Sequence, residues 1–355
     1  MKNKVIIWPS AMCVNGSSLW VIHGKLNALF KYNLETEKDA EHICSFKDEM
    51  LIRESAVSSL ICINETLFSI PRWGNHIHKY DLKEKKEKII PIPDENRFRD
   101  KMFFSGGFLY QGKIYCIPEQ YPYIVSIDIE TEEVNVEYDL GAYLLNDGFK
   151  EFLINDAELG TNGEIYAVLS STNRILVYDI KNRDVKSITI GGKSNRLSGI
   201  AIDDEDIYIG VENDKTLIKY DTNIHRIVNQ YDVIFDNYAV NKITDRKVLV
   251  DSVSDQRYMI LRGEVIDNYE SERCEVKVDY PYSYSHGIIN MTEKVHLYFD
   301  RFSYKLKDIG LDGDIDKKGR YIKGILDPLA LNISEQAIIM EDTVINLGFW
   351  MSNLV

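Results

Sequence analysis

Four arginines in this sequence stand just before runs of apolar residues, and their chemistry suits the binding of an anion. They are Arg53, Arg97, Arg99 and Arg196. A guanidinium group presents a planar fork of N–H donors that matches a carboxylate or a phosphate. The arginines therefore predict an anionic small molecule, an acidic glycan or a peptide carboxylate as ligand. The alternative is that they pair with Glu54, Asp100 or Asp156, which lie nearby in the sequence.

Large aromatic residues gather in three segments that are otherwise typical of loops, at 71–76, 118–123 and 280–286. They are Trp73, Tyr121, Tyr123, Tyr282 and Tyr284, and His286 closes the last segment. Exposed rings of this kind stack on sugars and anchor peptides. The aromatic residues predict a stacking surface, and the alternative is that they cover the ends of the fold.

Other chemically active patterns are weaker. His76 and His78 lie two apart in a predicted strand and share one face, which allows a metal pair, but a surface strand is the simpler interpretation because no third ligand is evident. The segment 312–316 resembles the start of a calcium loop without its closing glutamate. The sequence has no serine-hydrolase elbow, zinc-protease helix, phosphate-binding loop or dinucleotide-binding glycine motif.

A strand–turn–strand pattern recurs along the chain and must position these residues. Its aligned centres are Tyr32, Tyr80, Ile127, Tyr178 and Tyr220. They lie roughly 40–50 residues apart, which is the period of propeller blades. Apolar and polar residues alternate on either side, which predicts half-buried strands. A hairpin of this kind cannot bury its apolar face alone, so the repeats must stack on one another.

These patterns predict an all-β fold with a single β-propeller domain over residues 1–355. We predict four strands in each repeat, with five clear repeats up to residue 231, a sixth over 238–261 and a seventh over 287–307. Seven blades are favoured, and six are the alternative. Residues 310–355 are predicted to be an irregular segment with ring-closing strands, and Val5 to Trp8 is another candidate for closure.

Alternating strand direction places the connections of each repeat on two rims. The turns between the third and fourth strands carry charged residues and read as solvated turns on one rim. The loops between the second and third strands, together with the links into each first strand, share the other rim. This second rim is predicted to hold the ligand-binding residues Arg53, Trp73, Arg99, Tyr121, Arg196, Tyr284 and His286. Channel mouths also collect polar groups for structural reasons, which is the alternative.

The repeats resemble the kelch, NHL and WD-type propeller superfamily. Gly106 and Gly107, followed by Tyr110 and Tyr115, resemble a kelch repeat, whereas the WD dipeptide is absent. The resemblance covers most of residues 5–310 and implies architecture alone, since this fold hosts many unrelated functions. The leading hypothesis is a non-catalytic binding or scaffold propeller that needs no cofactor and recognises a protein, a peptide or an anionic small molecule.

A second resemblance supports an enzymatic alternative. Residues 53–57, 66–70 and 77–81 resemble the opening blade of the gluconolactonase-type propeller lactonases. The resemblance implies that Glu54, Asn155 and Asn195 are metal ligands and that Ca²⁺ or Mg²⁺ polarises a lactone carbonyl in a hydrolase or lyase. The sequence departs from that family because a whole repeat precedes Glu54 and the last ligand aspartate has no counterpart. The nearby arginines would also repel a cation.

Composition limits which partners and which cellular compartment can be predicted. The formal net charge of -14 argues against general binding of nucleic acid. The five cysteines are scattered without a paired motif, which predicts small buried thiols and suits a reducing cytoplasm. No run approaches the roughly 20 apolar residues of a membrane span. The N-terminal apolar stretch is too short for a secretory signal, so a cytoplasmic protein without membrane contact is predicted.

Overall fold

The computed structural model describes residues 3–24, 27–46, 56–193, 195–211, 214–235, 238–244, 247–252, 257–270, 288–291, 296–300, 305–310 and 314–326. Nearly all regular structure in these residues is β-strand, which confirms the predicted all-β class. The helical elements among them are one short helix, α1 (Leu140–Asn146), and one 3-10 turn, Glu95–Arg97. None of the helices in the described residues is long and apolar enough to cross a membrane.

The described strands fall into two compact units. The first unit comprises the described residues within 1–103, 278–308 and 318–355, and the second those within 104–277 and 309–317. The strands of the first unit are β1 (Asn3–Ile6), β2 (Pro9–Asn15), β3 (Ser18–His23), β4 (Ala28–Asn33), β5 (Ala40–Ser45), β6 (Val57–Ile63), β7 (Thr66–Pro71), β8 (Ile77–Asp81), β9 (Lys86–Ile90), β26 (Ile288–Met291), β27 (His296–Asp300), β28 (Lys305–Asp308) and β29 (Lys323–Leu326).

The second unit holds four sheets of four strands each. Its strands are β10 (Phe104–Tyr110), β11 (Lys113–Pro118), β12 (Tyr123–Asp128), β13 (Val134–Asp139), β14 (Ile154–Leu159), β15 (Glu164–Leu169), β16 (Arg174–Asp179), β17 (Asp184–Thr189), β18 (Leu197–Asp203), β19 (Asp206–Val211), β20 (Thr216–Asp221), β21 (Arg226–Asp232), β22 (Tyr238–Thr244), β23 (Lys247–Ser252), β24 (Arg257–Arg262) and β25 (Val265–Glu270). Each sheet is an antiparallel meander of four consecutive strands: β10 to β13 form the third sheet, β14 to β17 the fourth, β18 to β21 the fifth and β22 to β25 the sixth. The first strands β10, β14, β18 and β22 lie next to one another in that order.

The first unit holds the other three sheets of the described residues. The first sheet has the order β1-β29-β5-β4-β3-β2, the second is β6-β7-β8-β9 and the seventh is β26-β27-β28. Strand β29 pairs with β1 antiparallel and with β5 parallel. The residue Arg320, just before β29, exchanges two backbone hydrogen bonds of 2.8 Å with Leu306 of β28. Residues 318–326 therefore contact both the first and the seventh sheets.

The recurring pattern of the sequence has a local chemical cause. An aspartate or asparagine ends the third strand of five sheets, and its side chain accepts hydrogen bonds from backbone N–H groups of the turn that follows. In the second sheet Asp81 Oδ1 accepts from the N–H of Lys83 at 2.9 Å and of Glu84 at 2.7 Å. The fourth residue after this side chain has a positive φ in each case, as at Lys85 with φ 53. The equivalent acceptors are Asn33, Asp128, Asp179 and Asp221.

Burial follows the alternation of the strands. The tyrosine before the capping residue is buried in four of these sheets, as Tyr32, Tyr80, Tyr178 and Tyr220. Adjacent sheets then share apolar clusters, for example the one that joins the fourth sheet to the fifth through Val168, Ile175, Ile200 and Ile209. A fully buried aliphatic side chain of this kind contributes about 1.5–3 kcal/mol, so the core between sheets supplies most of the stability.

Several elements differ from the sequence prediction. Strand β25, the fourth strand of the sixth sheet, and helix α1 were not predicted, because the apolar residues of β25 do not alternate with polar ones and α1 is too short for a helical pattern. Strand β1 pairs with β29 at the outer edge of the first sheet. The proposed closing strands at 337–340 and 344–350 lie outside the described residues.

Candidate functional site

The predicted ligand rim is well defined in the second sheet. The loop after β7 is held to the residue before β6, because Ala56 C=O accepts from the N–H of Arg72 at 2.7 Å. The link that leaves β9 returns to the same loop, where the N–H of Phe103 donates to Arg72 C=O at 2.8 Å. His76 Nδ1 also lies 3.1 Å from Glu95 Oε2. Loop and link therefore form one connected surface, as alternation of the strands predicts.

Three residues named in the sequence analysis lie on this surface. Trp73 is half-buried, and Arg97 and Arg99 are exposed. The guanidinium of Arg97 lies 5.3 Å from the centre of the Phe98 ring, which supports its extended position. An indole can stack on a flat group, and guanidinium groups on the same loop-and-link surface can bind an anion. Arg53 and Glu54, predicted for the same rim, lie outside the described residues.

The histidine pair does not converge on a shared ligand. His78 is 1% exposed, and its Nδ1 lies 2.7 Å from Glu87 Oε1, whereas His76 contacts Glu95. The ring of Phe46 stacks on His78 with a centroid distance of 4.7 Å. Each imidazole thus has its own carboxylate partner, which makes the pair part of the packing of the first unit.

In the second unit the corresponding rim is also fixed by backbone bonds. The N–H of Ile154 donates to Glu119 C=O at 2.9 Å, and the N–H of Leu197 donates to Thr172 C=O at 3.0 Å. Helix α1 lies on this rim and begins at Asp139, whose Oδ1 accepts from the N–H of Ala142 at 2.8 Å. Loops and links are therefore connected by hydrogen bonds here as well.

Tyr121 differs from its predicted role. Its side chain is 0% exposed, and its ring packs edge-on against Phe104 and Tyr123, with centroid distances of 5.5 and 5.4 Å. The ring therefore belongs to the core of the third sheet and offers no stacking surface. The physical reason is that the Tyr121 ring packs on Phe104 at the start of β10, a contact that the residue types of the loop do not reveal. Tyr123 is half-buried.

The first strands of the second unit carry a group of ionisable side chains. Asp156, on β14, has Oδ1 bound by the N–H of Ala157 and Oδ2 bound by the N–H of Ile200 on β18, both at 3.0 Å. Burial raises the pKa of Asp156 to about 7, although these two hydrogen bonds oppose the shift. Such a carboxyl could exchange protons near neutral pH. Both of its oxygens are nevertheless committed to the backbone, which points to a structural role.

Three further charged residues continue this group along the inner strands. Lys242 Nζ lies 2.8 Å from Asp203 Oδ1, which joins β22 to the end of β18. Burial and the charge of Asp156 raise the pKa of Glu158 to about 8, and the Lys242 ammonium partly offsets this shift. Asp203 is 7% exposed. The first strands of the fourth, fifth and sixth sheets are thus connected by polar contacts.

Sequence reasoning missed Glu158, Asp203 and Lys242. Lys242 follows the apolar residues 238–240 within the same strand and precedes the apolar Ile243, and a charged residue at this position was the available signal. Asp203 lies in the acidic stretch 203–206, which is typical of an ordinary solvent-exposed turn. A charged residue inside an apolar strand needs a partner, but the sequence does not say which sheet supplies it.

The remaining predicted site residues are placed as follows. Asn155 is half-buried on β14, next to Asp156. Asn195 is half-buried and Arg196 exposed, just before β18, and the N–H of Asn195 donates to Gly192 C=O at 3.1 Å. Tyr284 and His286 lie outside the described residues. Within the described ranges, no three His, Cys, Asp or Glu side chains are grouped in a way that could hold a metal ion.

Comparison with known proteins finds likeness in structure. No family model and no curated protein matches the sequence. Virginiamycin B lyase from Staphylococcus aureus is similar with a TM-score of 0.61 at 13% identity, covering 85% of this chain and 97% of the lyase. PorZ of the type-IX secretion system of Porphyromonas gingivalis gives 0.59 at 10% identity, covering 88% of this chain and 39% of PorZ.

A third similar structure is the β-propeller domain of Cps50 (Swd1) from Myceliophteria thermophila, with a TM-score of 0.55 at 13% identity over 88% of this chain and 97% of that domain. All three are β-propellers. Identities this low show the fold alone, and the likeness confirms the predicted β-propeller fold.

Proposed function

We propose that this chain is a non-catalytic binding propeller whose ligand surface lies on the rim of the second sheet. The observation that supports it is the fixed arrangement of Trp73, Arg97 and Arg99 on a loop and a link held together by backbone hydrogen bonds. A surface that is rigid before binding loses little conformational entropy when a partner arrives. Indole and guanidinium groups are also the side chains that most often dominate binding energy.

The ligand of this surface is proposed to be a peptide or protein segment, or a small molecule, that carries an anionic group. Two exposed guanidinium groups on the same surface as one indole suit a ligand that combines a carboxylate with a flat or apolar group. Asp156 binds two backbone N–H groups, and Asp203 pairs with Lys242. Because these contacts occupy both carboxylates, they support a non-catalytic function. Cytoplasmic location and kelch-like ancestry stay predictions.

Ligand titration of paired variants tests this proposal. The probes are a glutamate-rich peptide, an oligogalacturonate and inorganic phosphate, each followed by calorimetry. The double variant Arg97→Ala/Arg99→Ala is expected to weaken binding of the responding probe at least about tenfold, and Trp73→Ala to weaken it as well. Lys83→Ala/Lys86→Ala is the matched control, because it removes the same charge from the β8–β9 turn on the opposite rim of the same sheet. Equal losses in both double variants would contradict the proposal.

The alternative is a hydrolase or lyase that uses Ca²⁺ or Mg²⁺. It is supported by Asn155 and Asn195, which lie at the starts of the neighbouring first strands β14 and β18 and carry the oxygen ligands that these ions prefer. The neighbouring Asp156 fits less well, since backbone N–H groups occupy both of its oxygens. If bound, the ion would polarise a substrate carbonyl. A rise in melting temperature with CaCl₂ that is lost in Asn155→Ala would favour this alternative.

The number of blades is also a proposal. We favour seven because the described strands form seven sheets in chain order. Residues 318–326, which contact both the first and the seventh sheets, are the proposed closing segment. An experimental structure with six sheets would exclude this count.

A further inference from the structure

One carboxylate of the first unit joins the two segments that carry the proposed ligand groups. Glu95 begins the 3-10 turn, and its Oε2 accepts a hydrogen bond from the N–H of Ile92 at 3.1 Å. The same oxygen lies 3.1 Å from Nδ1 of His76, at the end of the loop that contains Trp73. A carboxylate only accepts hydrogen bonds, so Nδ1 is the donor. This hydrogen bond, called the tether below, therefore connects the segment of Trp73 to that of Arg97.

The backbone of the loop is held on both sides of Trp73. The N–H groups of Arg72 and Gly74 both donate to Ala56 C=O, at 2.7 and 2.9 Å. Ala56 directly precedes β6, the first strand of the second sheet. Two hydrogen bonds to one carbonyl restrict the backbone between them, so the main chain at Trp73 is fixed relative to the sheet.

The 3-10 turn moves as one piece with Glu95. The N–H of Arg97 donates to Asp94 C=O at 2.9 Å, and the N–H of Phe98 donates to Glu95 C=O at 3.0 Å. The N–H of Glu95 in turn donates to Ile92 C=O at 3.2 Å. A contact that holds the Glu95 side chain therefore also limits where the backbone of Arg97 can lie.

The tether is shielded from most of the solvent. The side chains of His76 and Glu95 are 15% and 20% exposed, whereas Arg97 is exposed. A hydrogen bond to a charged acceptor is stronger when water is largely excluded from it. The tether is therefore suited to hold neighbouring groups that are themselves open to a ligand.

We propose that His76 and Glu95 are positioning residues that allow one ligand to engage Trp73 and Arg97 at the same time. This inference rests on the proposed function of the same surface. A ligand that uses both groups gains affinity when their spacing is fixed in advance, because binding then orders no further part of the chain. A simple anion needs the guanidinium groups alone.

The tether therefore determines ligand class. It favours two-part ligands, in which a flat ring lies close to a carboxylate, over simple anions such as phosphate. A peptide segment with an aromatic side chain among acidic residues has this chemistry, since its ring can stack on the indole and its carboxylate can bind a guanidinium group.

Two variants with the same change in charge separate the hydrogen bonds of Glu95 from its charge. Glu95→Gln keeps an oxygen that can accept from Ile92 and His76, whereas Glu95→Ala removes it. The probes are a glutamate-rich peptide that contains one tyrosine, and inorganic phosphate, each followed by calorimetry. Compared with Glu95→Gln, Glu95→Ala is expected to bind the peptide at least about fivefold more weakly and phosphate equally within about twofold.

Hydrogen–deuterium exchange tests the tether without a ligand. Peptides that cover residues 72–76 and 92–98 should exchange faster in Glu95→Ala than in Glu95→Gln, while those of β11 should exchange equally and show that both variants fold. Equal exchange in the two variants would overturn the inference, and so would equal peptide binding or an equal loss for both probes.

Failure of the proposed function has a different outcome. In that case neither probe binds the unaltered chain, or Arg97→Ala/Arg99→Ala binds both probes as the unaltered chain does, and the inference falls with the function. Binding that depends on these arginines but is the same in Glu95→Ala and Glu95→Gln would overturn the inference alone.

Discussion

The guanidinium of Arg320 donates two hydrogen bonds to the carboxylate of Asp308, at 2.6 and 3.2 Å. Its Nε also lies 3.2 Å from Glu37, in the turn between β4 and β5 of the first sheet. Asp308 ends β28 of the seventh sheet. One half-buried side chain therefore joins the first and seventh sheets of the first unit, at the segment proposed to close the ring.

Arg320→Ala is expected to lower the free energy of unfolding by about 1–2 kcal/mol, because it removes a bidentate charged hydrogen bond and leaves Asp308 without this partner. Urea denaturation measures the loss. Arg226→Ala, at an exposed position of β21, is the matched control and should change stability by less than about 0.5 kcal/mol. Similar losses in both variants would mean that the contact does not stabilise the chain.

The raised pKa of Glu158 predicts a pH dependence of stability. Its pKa is about 8 in the folded chain, above the ordinary 4.5, so the folded chain holds this proton more tightly than the unfolded chain. The stabilisation is complete below about pH 4.5 and is lost as pH rises to about 8. Glu158→Gln should therefore flatten the fall in stability between pH 5 and 8 by about 3–4 kcal/mol. Thermal denaturation at several pH values measures this. The prediction is contradicted if the melting temperature depends on pH in the same way in Glu158→Gln and in the unaltered chain.

Lys242→Met tests the contacts between the first strands. The change leaves Asp203 without its counter-charge and removes the ammonium that lowers the pKa of Glu158. A loss of about 2–3 kcal/mol is expected at pH 8, with a smaller loss at pH 5, where Glu158 is protonated. Lys219→Met is the control, because Lys219 pairs with the more exposed Asp206 at 2.7 Å. An equal loss of stability at both pH values would show that Lys242 does not act on the ionisation of Glu158.

Tyr121→Ala tests whether this residue is part of the hydrophobic core. Removing a fully buried ring is expected to cost about 3–5 kcal/mol. Tyr123→Ala, at a half-buried position, should cost less. Urea denaturation compares the two variants. If Tyr121→Ala were nearly neutral and weakened binding of the anionic probes, the residue would belong to the ligand surface after all.

The repeats of this protein could be predicted because their causes are local. Alternation of apolar and polar residues follows from the period of a strand, and the capping aspartate of each turn lies within four residues of the N–H groups that it binds. The rim that combines Trp73 with Arg99 followed from strand direction alone. Strand β25 escaped prediction because its exposed outer face lacks an apolar pattern.

The sequence by itself determined the strands, their turns and the all-β class. Tertiary structure alone decided that Tyr121 is buried and that Lys242 meets Asp203. The physical reason is that these contacts join side chains from different sheets or from a loop folded onto a sheet. Such contacts depend on how the sheets stack, which no spacing along the chain records.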